Sequence, residues 1–176
     1  MNEYGKIIEP GTVQLERLLP GPIERIWAYL TESDKRGKWL GTGQMDLKVG
    51  GKVNLFFRHS DLSPQKEDTP EQYQAYANGV GHSGHILRCE PPRFLSYTWD
   101  EESGTGSEVS FELSERGHDV LLVITHSRLP NRGMTLGVSS GWHTHVGILI
   151  DHLQGKTPAP FWSSLASVKD EYEKRL

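Results

Sequence analysis

Cys89 is the only cysteine in 176 residues, which excludes an intrachain disulfide and a thiolate zinc cluster. Apolar runs of the roughly 18 residues that a bilayer crossing requires are missing as well. Basic charge is in short supply: the formal net charge is −4, and Lys and Arg are scattered. That argues against nucleic acid and against anionic membrane surfaces as main partners. The chain opens on Asn2, Glu3 and Tyr4 where a leader would be basic and then apolar, so a cytoplasmic location is expected. What the chain does have is tryptophan. Five in a domain of this size can line a hollow as well as fill a core.

Val13, Leu15 and Arg17 alternate with polar neighbours and predict a first strand ending before Pro20-Gly21-Pro22. A helix follows, with Pro22 suited to its first position and Ile23, Ile26, Trp27 and Leu30 on one stripe. Ser33 or Asp34 suits the cap of a further short helical turn that returns Trp39 and Leu40 to the domain. Residues 43 to 58 read as a hairpin about Gly50-Gly51. The polar stretch 59 to 78, with Pro64 and Pro70, reads as a long mobile excursion from a sheet edge, and excursions of that length are often lids. Strands are expected again at about 80–89, 94–99, 109–113 and 120–125, separated by turn residues, as an antiparallel meander that with the two hairpin arms makes about six strands. The period then changes. Val138, Trp142, Val146, Leu149 and Leu153 mark the longest helix, closed by Gly155 and Pro158, and a shorter, partly exposed helix follows from Phe161.

These elements predict one α+β domain over residues 1–176, with its core at about 12–155 and a carboxy-terminal extension at 156–176. A curved antiparallel sheet gripping a long helix buries one face of each. Because a twisted sheet cannot touch a straight helix everywhere, an internal cavity is expected between them.

The residues also carry a resemblance. Pro22 to Thr31, Lys38-Trp39-Leu40, Gly50-Gly51, Gly84 to Leu87, Glu90 to Leu95 with Thr98-Trp99, and Gly141-Trp142 resemble, in order and spacing, the helix-grip (SRPBCC) superfamily. That superfamily includes START-like lipid-transfer domains, birch-pollen-allergen-like proteins and polyketide cyclases. Within it the pattern is most similar to homologues of the activator of the ninety-kilodalton heat-shock protein ATPase, from about Val13 to Leu153. The resemblance implies a possible chaperone partner. Eukaryotic activators carry an additional amino-terminal domain, however, and the twelve residues before Val13 are too few to encode it, so the fold is expected to transfer better than the activity.

Strand parity and helix phase nominate the candidate site. If Leu87 and Cys89 face inward then so does His85; if Leu122 and Ile124 do then so does His126; and His145 borders the long-helix stripe. Trp39, Phe57, Tyr97, Trp99, Trp142 and Leu149 complete a ligand-binding set. Imidazoles in an apolar hollow can hold a polar head group or a metal, but each is more often a locally paired core histidine. No His-x-x-x-His spacing is present and no metal is expected. Gly79, Gly81 and Gly84 precede strand rather than helix, so no nucleotide or other cofactor is expected. Ser139, Ser140 and His143 lie close together, but a serine beside a helix start is usually a cap, and Cys89 reads as an inert buried thiol. With no inward Asp or Glu evident to tune a histidine, the expected function is binding of a small hydrophobic molecule without catalysis, by a monomer or homodimer. A co-chaperone module and a cyclase or hydratase using the inward histidines are the alternatives.

Overall fold

A computed structural model describes residues 3–176. One antiparallel sheet contains β1 (Lys6–Glu9), β2 (Thr12–Pro20), β3 (Lys52–Phe57), β4 (Val80–Glu90), β5 (Phe94–Thr98), β6 (Glu108–Arg116) and β7 (Asp119–Ser127), in the spatial order β1-β2-β7-β6-β5-β4-β3. Helices α1 (Ile23–Thr31) and α2 (Ser33–Arg36) separate β2 from β3, and α3 (Arg132–Leu153) and α4 (Phe161–Arg175) follow the sheet. The architecture is the helix-grip fold, a curved sheet with a long helix laid against it.

Two strands rather than one precede the helix pair. Every residue of β1 is exposed, so this edge strand has no buried face and no apolar alternation to betray it. The hairpin expected over residues 43 to 58 keeps only its second arm as a strand. Its first arm is reduced to isolated bridges, Thr42 to Phe56 and Met45 to Val53. Gly51 is required at that turn, because a Cβ there would fall 2.0 Å from the Asp46 carbonyl oxygen.

Alternation places Val53, Leu55 and Phe57 of β3, Leu95 and Tyr97 of β5, Val109, Phe111 and Leu113 of β6, and Val120, Leu122 and Ile124 of β7 on the inner face, all buried. Each such side chain contributes about 1.5–3 kcal/mol on leaving water. Helix α1 adds Ile23, Ile26 and Leu30 to this core, the stripe expected from its spacing. Just beyond it sits a buried cation. The Arg36 guanidinium donates to the backbone carbonyls of Thr31, Gly41 and Gly43, and so ties the end of α1 to the connection into β3. Burial lowers its pKa from the ordinary value, partly offset by Tyr97. Three carbonyl dipoles take the place of a counter-ion, because a buried charge must be fully hydrogen-bonded.

Helix α3 begins six residues before Val138. The Asn131 side chain accepts the Met134 amide hydrogen at 2.9 Å, as an N-cap should. Ser139 and Ser140 therefore lie inside the helix and cap nothing. Helix α4 is partly exposed, and it buries Phe161, Trp162, Leu165 and Tyr172 against the rest of the domain. The segment 59 to 78 is not a featureless excursion. It forms two short 3-10 turns, His59–Leu62 and Glu71–Tyr76. Leu62 is buried, Ser63 donates to the Pro158 carbonyl at 2.8 Å, and the Glu67 carboxylate accepts from the Trp162 and Ser163 amides at the start of α4. A carboxylate there satisfies orphan donors and complements the helix dipole. Tyr73 stacks on Trp162 with ring centroids 4.7 Å apart.

Candidate functional site

Between the sheet, α3, α4 and the 59–78 segment lies a cavity of about 340 Å³. Its walls are aromatic: Phe57 from β3, Trp99 just after β5, Trp142 from α3, Phe161 and Trp162 from α4, and Tyr73 from the second 3-10 turn. Trp142 packs with ring centroids 5.1 Å from Trp99 and 5.4 Å from Phe111, a core residue behind the wall. The hollow has a local cause in the sequence. Gly133, Gly137 and Gly141 recur at four-residue steps on the cavity side of α3, and a Cβ at Gly137 or Gly141 would meet nothing within 4 Å. Glycine inside a helix costs about 1 kcal/mol relative to alanine. Here it leaves space where three side chains would otherwise stand.

Of the nine residues nominated from sequence, Phe57, Trp99, Trp142 and His145 line this cavity. Trp39, Tyr97 and Leu149 are buried behind it, as packing. His126 is fully buried and faces a minor hollow beside Ser139 and Tyr172. Its two nitrogens are engaged: Nδ1 accepts the Trp142 indole N–H at 3.0 Å, so the proton sits on Nε2, 3.0 Å from the Ser107 hydroxyl. His85 is excluded from the interior altogether. It is exposed on the outer face, 2.8 Å from the Glu101 carboxylate.

The His85 assignment fails because β4 slips register against β5 between Ile86 and Arg88. Parity counted back from Cys89 is inverted on crossing such a bulge, and it is Ile86 that is buried while Leu87 is 40% exposed. His82, four residues before Ile86 on the same face, reaches the cavity. A second parity break supplies the inward carboxylate that the sequence did not reveal. Asp100 has φ 47°, a left-handed conformation uncommon for a residue with a side chain. Trp99 and Asp100, adjacent in sequence, consequently both border the cavity. The Asp100 carboxylate lies 3.8 Å from His82 Nε2. His59, Tyr73, Tyr76, Phe161, Trp162 and Lys169 also border it, and only the Phe161-Trp162 doublet left a clear mark in the sequence.

The cavity histidines are uncharged near neutrality. Desolvation lowers His59 to about 4 with a smaller contribution from His82, and lowers His145 to about 3, against a partial opposing effect of the Trp39 carbonyl. His82 is lowered by burial, with Asp100 and Glu102 opposing. The Nδ1 atoms of His59 and His82 and the Trp162 indole nitrogen are buried without a hydrogen-bond partner among the described residues.

Residues 137 to 141, Gly-Val-Ser-Ser-Gly, have the spacing of a nucleophile elbow, which needs a sharp strand-to-helix turn, but they lie mid-helix in α3. The serine of that spacing, Ser139, is buried against the minor hollow beside His126 and is not presented at a turn. Among the described residues no group of three or more His, Cys, Asp or Glu side chains could hold a metal ion, and no helix is long and apolar enough to cross a membrane.

A long helix gripped by a curved sheet around an aromatic cavity defines a helix-grip domain. The family model described as Activator of Hsp90 ATPase homolog 1-like protein matches residues 20–154, and the chain belongs to that family. A solved structure of a protein from Bordetella parapertussis is 43% identical, with a TM-score of 0.82 over 99% of this chain and 91% of that one. CalU16 from Micromonospora echinospora is 24% identical, with a TM-score of 0.69 over 93% and 86%. The Aha1 dimer from Colwellia psychrerythraea is 20% identical, with a TM-score of 0.58 over 81% and 95%. The last two likenesses bear on the fold alone. A search of proteins with curated functions finds no match.

Proposed function

We propose that this protein binds a small, largely hydrophobic molecule in the cavity between α3, α4 and the sheet. The observation that carries the reading is the glycine-faced, aromatic-walled space of about 340 Å³. A core built only for stability would close such a void, since each unfilled methyl-sized space costs about 1 kcal/mol. Binding rather than catalysis is favoured because His145 is anchored to a backbone carbonyl and both nitrogens of His126 are engaged. The His82 and Asp100 pair stands beyond hydrogen-bond distance.

Titration with fatty acids, sterols and aromatic probes is expected to change tryptophan emission, because Trp99, Trp142 and Trp162 form the walls. A ligand at a hundredfold its dissociation constant adds roughly 2.7 kcal/mol to stability. Gly141→Leu supplies the control: with open space at its Cβ, the variant should fold at least as stably as the parent and lose the response. Unchanged emission and melting across the panel would refute the reading, as would full binding by a folded Gly141→Leu.

The family assignment favours a second reading, interaction with a chaperone ATPase. The expected result is no stimulation when the protein is added in several-fold excess to the chaperone of its own organism. A saturable rise in ATP turnover would reverse the order of the two readings.

A further inference from the structure

The unused hydrogen-bonding capacity of the cavity wall says more about the ligand than the cavity's shape does. His145 Nδ1 lies 2.7 Å from the Trp39 carbonyl oxygen, so Nδ1 carries the proton and Nε2 presents a lone pair. Trp39 is fully buried behind the cavity and does not line it, whereas His145 does. The anchor thus fixes both the tautomer and the side of the ring that faces inward. Phe161, His59 and Phe57 pack around the imidazole, with ring centroids 4.8, 5.8 and 6.2 Å from it. Phe161 and Phe57 have no hydrogen-bonding group to offer, and among the described residues His145 hydrogen-bonds through Nδ1 alone. On the same wall, with its ring 4.8 Å from His59, Trp162 has a buried indole N–H without a partner among the described residues.

We infer that His145 is the specificity-determining residue of the cavity, its Nε2 accepting a hydrogen bond from a hydroxyl on an otherwise apolar, uncharged ligand. This rests on the binding reading above and deepens it. A hydroxyl matches the wall because it both donates and accepts, and can answer the imidazole lone pair and an N–H such as that of Trp162. A carboxylate can answer the Trp162 N–H or Lys169, which also borders the cavity, but it has only lone pairs to offer His145 Nε2, and protonating His145 to receive it would charge a buried ring. The neutral state of the imidazole near pH 7 agrees with this assignment.

The test compares 2-naphthol with 2-methoxynaphthalene, two probes of similar shape of which only the first has an O–H to donate. Hydrophobic partition alone ranks the ether first, so the ranking itself is diagnostic. Tryptophan quenching at pH 7 should give a dissociation constant for 2-naphthol several-fold, up to about tenfold, below that of the ether, the scale of one net buried hydrogen bond. His145→Asn can keep an amide N–H on the Trp39 carbonyl while removing the acceptor at the Nε2 position. It should erase the preference for naphthol, bringing the ratio of the two dissociation constants to about one, with folding checked by thermal melting. Equal or tighter binding of the ether to the unaltered protein overturns the role of His145 while leaving the cavity a binding site. Binding of neither probe overturns the inference together with the binding reading. Should the variant fail to fold, the ranking in the unaltered protein still decides.

Discussion

Trp142→Ala is expected to cost about 3–5 kcal/mol, the range for removing a buried tryptophan. The side chain is 5% exposed and packs against Trp99 and Phe111 while donating its indole N–H to His126. Truncation therefore removes apolar contact, enlarges a cavity that is already present, and strands the His126 Nδ1 lone pair in a dry environment. Trp142→Phe separates these effects. It retains most of the ring and loses the N–H, so its cost should be about 1–3 kcal/mol, the penalty of one buried unsatisfied polar group. Urea unfolding midpoints measure both. A midpoint for Trp142→Ala near that of the parent would show that the side chain contributes nothing to the junction between α3 and the sheet.

Acid is expected to destabilise this protein well before its carboxylates titrate. Desolvation lowers His126 and His145 to about 3 each in the folded chain, against about 6.5 in an unfolded one. Below pH 6.5 the unfolded chain therefore binds more protons than the folded one, and stability rises with pH across that window. The contribution is fully present above about 6.5 and is lost progressively as the pH falls toward 3. At pH 5 the loss amounts to about 2 kcal/mol for each of these two residues, or about 4 kcal/mol together. His59 and His143, lowered to about 4 mainly by burial, act in the same direction. Glu101 and Glu102 are held below the usual carboxylate range by hydrogen bonds, chiefly from His85 and Ser83 respectively. Urea midpoints at pH 7.5 and pH 5 should differ accordingly, and His126→Gln should shrink the difference even if it lowers both midpoints. Midpoints that do not move with pH would show that these imidazoles are solvated or compensated.

How the chain folds was legible wherever one local period dominated. The alternation in β6 and β7, the stripe of α1 and the long stripe within α3 are local patterns that burial enforces, and they recovered the α+β class and the sheet with its long helix. The same rules placed Phe57, Trp99, Trp142 and His145 on the cavity. Parity counting failed where the backbone broke its own period. The register shift near Ile86 moved His85 outward and left His82 inward, and the left-handed Asp100 turned two consecutive side chains toward one space. Neither break has a glycine or proline at that residue to announce it.

Apolar period and turn chemistry, which act within a few residues, therefore determined the fold class, the long helix and the aromatic content of its inner face. The cavity's closure was decided by tertiary structure alone. Phe161 and Trp162 became wall residues because α4 returns across α3, and His59 and Tyr73 because Glu67 and Ser63 pin their segment to the start of α4. Those contacts join residues about 95 positions apart. No local period encodes them, since their geometry follows from where two independently formed surfaces meet.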